Sequence, residues 1–480
     1  MYKLLIEESL IEIKSVTRRF LNRRECTMSW IVVVLMLCGT NVFTACSEDD
    51  ESEANHKPAY TTLKEALVGI DQISFIKQDP DPYTMKKKEK GLLDYKEQYS
   101  MLFRQDLDHE HTGGDTFQQR VAILFRGFDC PTIMLTEGYS WHGFGDGEDL
   151  GINLNANVIH VEHRNFGKSI SQDQGRWQYE TCAQASADLH AIYQVLKPIF
   201  SGKWMCSGTS KSGETAMDYA YFYPEDMNLA AAFCSPFCTS LFDNRFGPYL
   251  FNEVSTEDNR EIMRNGISMG LKNGEDGIYR SLCEKMESSN QKKPSFTEYV
   301  FELFGIFFEV FQYTPRDMQE SELLAIIVDE TSLRDRLYDS VISGRDENMY
   351  TYFIDSVKEQ GYVDGGFHYF ANELAGTSFN INDYFRNILK PEDHWLIDTY
   401  DNRVRLDQIQ NFFTNSTCPL LLVYSHDDPY SAAQPEKTGP NVKKIINPIG
   451  IHGCALNNTY LCPEAIKQEV MDYVCRYLGD

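Results

Sequence analysis

Hydrophobic and polar positions along this chain alternate in blocks. Gln119–Arg126 carries Val121, Ile123 and Phe125 at period two and reads as a strand. Pro131–Thr136 and Asn157–Glu162 read as two more. A long amphipathic stretch from about Cys182 to Phe200 has helical spacing. Lys203–Cys206 and Leu229–Cys234 are again strand-like, with a helical stretch, Glu214–Ala220, between them. Strands alternating with helices predict a mostly parallel sheet covered on both faces. From about Ser240 to Gln410 the alternation gives way to a long, aromatic, helix-rich segment, typified by Tyr299–Phe308. Glu302 and Glu309 interrupt that run and exclude a membrane span. The sheet pattern resumes at Pro419–Tyr424 and Val442–Ile446, and Pro463–Leu478 reads as a closing helix. Ahead of these blocks, Tyr60–Phe75 is helix-like and Lys77–Lys90 polar and irregular.

The N-terminus has a different pattern. Ile31–Cys38 is an apolar run too short for a permanent span, followed by Phe43-Thr44-Ala45-Cys46. This resembles a bacterial lipobox, in which Cys46 would be acylated after cleavage. Phe43 stands where Leu is usual. Ser47–Glu51 is acidic, like the tag that directs some Gram-negative lipoproteins to the outer surface. Residues 1–27 make an overlong leader, so translation is expected to start at Met28. The predicted organisation is 28–45 signal peptide, 46–58 acidic tether, 59–239 first part of the core, 240–410 helical cap and 411–480 second part of the core. The protein is expected to be a lipid-anchored, surface-exposed envelope lipoprotein.

Composition narrows the partners. The formal net charge is -26 and the pI about 4.8, which opposes binding to nucleic acid or to an anionic membrane face. No cysteine spacing resembles a zinc site, and neither a metal nor a cofactor is expected. Disulfides are possible in an envelope compartment, but Cys206 and Cys234 lie in apolar runs that suit buried free thiols.

The chemistry centres on Gly208-Thr209-Ser210-Lys211-Ser212. Strand, sharp turn around a serine and then helix is the nucleophile-elbow pattern of an α/β-hydrolase. The turn needs small residues two positions either side, which Gly208 and Ser212 supply. Triad partners should follow in the order acid, then histidine. Asp427 and Asp428 both sit on the turn after Tyr424, and Asp428 is favoured because Pro429 holds it extended. His452 lies in the loop Gly450-Ile451-His452-Gly453, after the last strand. The predicted fold is an α/β-hydrolase with an inserted helical cap, and the predicted triad Ser210, Asp428 and His452.

Other segments then acquire meaning. Glu162-His163-Arg164-Asn165-Phe166-Gly167-Lys168-Ser169 resembles the Glu-His-Arg-aromatic-aromatic-Gly-x-Ser segment of serine exopeptidases. These comprise the prolyl carboxypeptidase and dipeptidyl peptidase group and the related secreted bacterial tripeptidyl aminopeptidases of PS-10 type. Gly208–Gly213 is similar to their Gly-x-Ser-Lys-Gly-Gly, with Ser212 replacing Gly. Asp428-Pro429-Tyr430 is similar to their Asp-Pro-Trp, with Tyr430 replacing Trp. Thr136–Tyr139 and Tyr223–Asp226 look closest to the tripeptidyl aminopeptidase branch. The resemblance implies peptide substrates, release of short peptides from free N-termini and an acyl-enzyme on Ser210. The amides of Lys211 and Tyr139 are the expected oxyanion donors. Only the backbone of Lys211 is needed for that, and its side chain is read as solvated or cap-facing. Glu162 and Glu137 are weighed as partners of a substrate amine, but pairing with Arg164 or a backbone amide is the favoured role. Asp188 and His190 are expected to play supporting or surface roles. An esterase on the same triad and a non-catalytic surface binding lipoprotein are the alternative readings.

Overall fold

The computed structural model describes residues 60–78, 95–141, 148–173, 175–344, 347–453 and 455–479. The lipobox-like segment with Cys46, the expected tether and the expected start at Met28 lie outside them. The strands are β1 (Ile73–Gln78), β2 (Glu97–Asp106), β3 (Thr116–Phe125), β4 (Thr132–Leu135), β5 (Asn157–Val161), β6 (Trp204–Thr209), β7 (Leu229–Phe233), β8 (Phe242–Asp243), β9 (Tyr362–Val363), β10 (Leu420–Ser425) and β11 (Val442–Asn447). Nine of them form one sheet in the order β1-β2-β3-β5-β4-β6-β7-β10-β11. β3 is antiparallel to both neighbours, and the strands from β5 to β11 pair in parallel. The eight strands from β2 onward have the order of an α/β-hydrolase. β1 adds one more antiparallel strand at the edge.

Period-two side chains put opposite faces of the sheet into different cores. Trp204, Cys206, Ala230, Ala232, Leu420, Leu422 and Tyr424 pack on one face with the helices Cys182–Leu196 and Lys211–Phe222. Met205, Leu229, Ala231, Leu421 and Val423 pack on the other with the helix Glu464–Leu478. The aromatic segment between β7 and β10 builds a core of its own, centred on the helix Phe296–Tyr313 with Phe301, Phe304, Phe307 and Phe311 buried. The strands β8 and β9 form a small parallel pair inside this insertion. Among the described residues, no helix is long and apolar enough to cross a membrane.

One N-terminal expectation fails. The helix read over Tyr60–Phe75 is only Leu63–Leu67, capped by Thr62. Gly69, at φ +93°, turns the chain, and Ile73 onward pairs with β2 instead. The strand β2 was not anticipated, although Tyr99, Met101, Phe103 and Gln105 alternate inward along it.

Candidate active site

Ser210 sits between β6 and the helix Lys211–Phe222 at φ +59°, ψ −130°, a conformation that L-residues rarely adopt. The strain is held in place. The Ser210 N–H donates to the Phe233 carbonyl at 2.8 Å, and the Ser210 carbonyl accepts from the N–H groups of Gly213 and Glu214. A Cβ on Gly208 would lie 2.3 Å from the Ser212 carbonyl, so this position requires glycine. Ser212, the departure from the expected Gly, has a bonding role. Its hydroxyl donates to the Thr136 carbonyl at 2.8 Å, and the Thr136 hydroxyl donates back to the Ser212 carbonyl at 2.5 Å. This pair ties the end of β4 to the elbow. Ser212→Ala should therefore lower the free energy of urea unfolding by about 0.5–1.5 kcal/mol, the net worth of one hydrogen bond.

Asp428 and His452 are brought together. The Asp428 side chain is fully buried, and Oδ2 lies 2.9 Å from His452 Nδ1. Its Oδ1 accepts from the Tyr430 N–H at 3.1 Å. The buried ring resists charging, but the Asp428 carboxylate beside it outweighs that and raises the His452 pKa above its ordinary value. Among the described residues no hydrogen bond joins the Ser210 hydroxyl to His452; such bonds are often long before substrate binds. Asp427 is held differently. Arg316 of the insertion forks onto both its oxygens, and His426 Nδ1 is 3.0 Å away. Burial opposes its charge, yet His426 and Arg316 hold its pKa below the ordinary value.

The insertion grips both loops of the dyad. Gln312 accepts from the His452 N–H at 3.0 Å, and the Tyr249 hydroxyl donates to the His426 carbonyl at 2.7 Å. It also grips the elbow helix. Arg405, fully buried, pairs with Asp218 at 2.5 Å and with Glu214 at 3.0 Å. Burial pushes the Glu214 carboxyl up to about 8 against the pull of Arg405. Tyr430, standing where Trp is expected, packs edge-on against Phe308 and Phe246 and lies 5.2 Å from the His452 ring.

The N–H of Lys211 opens the elbow helix, and the Tyr139 N–H lies in the turn after β4. Neither donates to a carbonyl among the described residues. The Lys211 side chain is not solvated but 1% exposed.

Glu162 is buried and accepts from the Trp141 N–H, the Lys168 N–H and the Ser169 hydroxyl. The backbone-amide role holds and pairing with Arg164 does not; Arg164 forks onto Asp188 instead, at 2.7 Å. Glu137 contacts His160 at 2.5 Å, and His190 contacts Asp226 at 2.6 Å. Arg316, Asp355 and Arg405 were not singled out in the sequence. Each pairs with a charge far away in the chain, Asp427, Lys211 and Asp218 respectively, and such pairs leave no local pattern to read.

Three sets of donor atoms lie within 4.8 Å of one another among the described residues: Cys234, Asp428 and His452; Asp108, Glu110 and His111; His163, Glu180 and Asp355. The first is the dyad itself plus a thiol that contacts the Ser425 hydroxyl and the Ile451 carbonyl. In the third, Asp355 lies 3.0 Å from the Lys211 ammonium. The described cysteines, Cys206 and Cys234 included, are free thiols.

Residues 57–281 match the family model described as PS-10 peptidase S37. Over 136 residues, 28% of this chain, it is 35% identical to a prolyl tri/tetrapeptidyl aminopeptidase of Streptomyces mobaraensis. The matched stretch spans 28% of that relative's length. Among solved structures, a proline iminopeptidase of Mycobacterium smegmatis aligns over 78% of this chain and 98% of its own, at 13% identity and TM-score 0.39. An esterase of Thermogutta terrifontis aligns over 78% and 99%, at 13% identity and TM-score 0.33.

Proposed function

Residues 57–281 match the PS-10 peptidase S37 family model, and we propose that the chain belongs to that family and is a serine exopeptidase of tripeptidyl aminopeptidase type. The observation that carries the reading is a strained serine at a strand–helix turn together with a buried Asp428–His452 hydrogen bond. His452 Nε2 takes the hydroxyl proton as Ser210 Oγ bonds to the peptide carbonyl carbon. The carbonyl oxygen becomes an oxyanion held by the N–H groups of Lys211 and Tyr139. The imidazolium passes the proton to the leaving amine as the C–N bond breaks. Water then hydrolyses the acyl-enzyme by the same steps in reverse order. Asp428 fixes the tautomer and stabilises the imidazolium.

The insertion is the element we assign to limiting substrate depth, so that short peptides are released from a free N-terminus. The name of the Streptomyces relative supports that substrate class. The test compares chromogenic tripeptide anilides with free and blocked N-termini, beside a short-chain ester. Cleavage of the free peptide alone is expected; ester turnover without peptide turnover would give the activity to an esterase instead. We also propose that Cys46 carries a lipid anchor at the outer cell surface, on the strength of the lipobox and the acidic tag. Metabolic labelling with palmitate, lost in Cys46→Ala, checks this.

A further inference from the structure

The reaction above uses Lys211 only through its amide, yet its side chain is a buried cation beside the elbow. A buried ammonium is unfavourable by several kcal/mol unless paired and hydrogen-bonded. Lys211 Nζ donates to the Gly138 carbonyl at 2.6 Å and lies 3.0 Å from Asp355 Oδ2. The rings of Tyr139 and Phe166 flank it at 5.4 and 5.0 Å. Asp355 ends the insertion helix Glu347–Asp355, where the chain passes into the π-helical turn Ser356–Gln360. That turn is fixed to the core. Lys358 Nζ donates to the carbonyls of Trp177 and Gln178, and the Cys182 N–H donates to Glu359.

The Gly138 carbonyl and the Tyr139 N–H belong to one peptide unit. In a trans peptide the two bonds point in opposite directions within a rigid plane. Fixing the oxygen therefore fixes the direction of the N–H. A charged donor on the oxygen also polarises the unit and strengthens the N–H as a donor. The unit lies hard against the elbow: Gly138 has φ +69°, and a Cβ there would stand 2.5 Å from the Ser212 nitrogen. We propose that Lys211 and Asp355 are positioning residues for the oxyanion site. The ammonium, held by Asp355 from the insertion, grips the Gly138 carbonyl and aims the Tyr139 N–H at the tetrahedral intermediate on Ser210. The inference rests on the serine-peptidase reading. It makes the insertion a contributor to rate as well as to substrate length.

The test is the double variant Lys211→Met/Asp355→Leu, which removes both charges and leaves neither buried alone. Loss of one oriented oxyanion donor should lower kcat by about 10². KM should stay within about threefold, because the interaction exists only in the transition state. Affinity for a peptide boronic acid, which forms a tetrahedral adduct on Ser210, should fall by the same factor as kcat/KM. Affinity of an uncleaved peptide, measured in the Ser210→Ala background, should not change. A purely structural role would weaken both affinities together. That result, or a kcat within about threefold of the parent, overturns the proposal. If the double variant does not fold, Lys211→Gln/Asp355→Asn takes its place with the same limits. Its shorter side chain keeps a polar pair at the interface and cannot reach Gly138 as Lys211 does. A parent protein that neither cleaves peptides nor reacts with a fluorophosphonate overturns the peptidase reading and this inference with it. A competent parent with an unimpaired variant overturns the inference alone.

Discussion

Ser210→Ala is expected to lower kcat against a tripeptide anilide by about 10⁴–10⁶ and to abolish covalent labelling by a fluorophosphonate. No other group on the elbow can take the place of Oγ. Thr209 precedes the turn on β6, and the Ser212 hydroxyl is committed to the Thr136 carbonyl. A control separates lost chemistry from lost structure. Alanine inherits the φ +59°, ψ −130° backbone with its Cβ, whereas glycine adopts that region freely. Ser210→Gly should therefore be more stable than Ser210→Ala by about 1–3 kcal/mol while equally inactive. Urea unfolding of the two variants measures the difference. Equal stabilities would mean that the turn is unstrained, and retained turnover in either variant would remove Ser210 from the reaction.

The parallel half of the sheet was legible because its strands are buried on both faces. Leu229–Cys234 and Pro419–Tyr424 read as unbroken apolar runs, and such runs have few alternatives in a short segment. The antiparallel edge was harder. In β2 the inward residues Tyr99, Met101 and Phe103 alternate with Gln98, Ser100, Leu102 and Arg104, so the apolar Leu102 on the outer face blurs a half-buried pattern that also sits beside an irregular polar stretch. The Asp427–Asp428 choice was narrowed by Pro429. What lay beyond the sequence was Arg316, which occupies Asp427 from 111 residues away. Long-range charge pairs leave no local periodicity, and the same holds for Lys211 with Asp355 and Arg405 with Asp218. The insertion was visible only as a helical, aromatic segment. That it reaches the dyad through Gln312, Tyr249 and Arg316 follows from packing alone.

The two neighbouring carboxylates should respond oppositely to one substitution. Asp428→Asn replaces the acceptor of His452 Nδ1 with an amide that can present a donor to it. The ring is then held in the wrong tautomer, with Nε2 protonated and unable to accept the Ser210 proton, and kcat should fall by about 10⁴. Asp427→Asn leaves that geometry in place and disturbs the Arg316 fork, so its main effect should be on stability. The pH profile provides a second readout. The base works as neutral imidazole, so kcat/KM is lost as pH falls through the His452 pKa. Burial alone would lower that pKa, and the Asp428 carboxylate raises it overall. The acidic limb of the parent enzyme should therefore lie above about 6.5, the ordinary histidine value. In Asp428→Asn the raising charge is gone and burial remains, so the limb of the residual activity should move to lower pH. In Asp427→Asn it should stay close to the parent position. Stopped-time assays of kcat/KM between mildly acidic and mildly alkaline pH would test all three. A parental limb in Asp428→Asn, or its displacement by Asp427→Asn alone, would assign the acid of the triad to the other carboxylate.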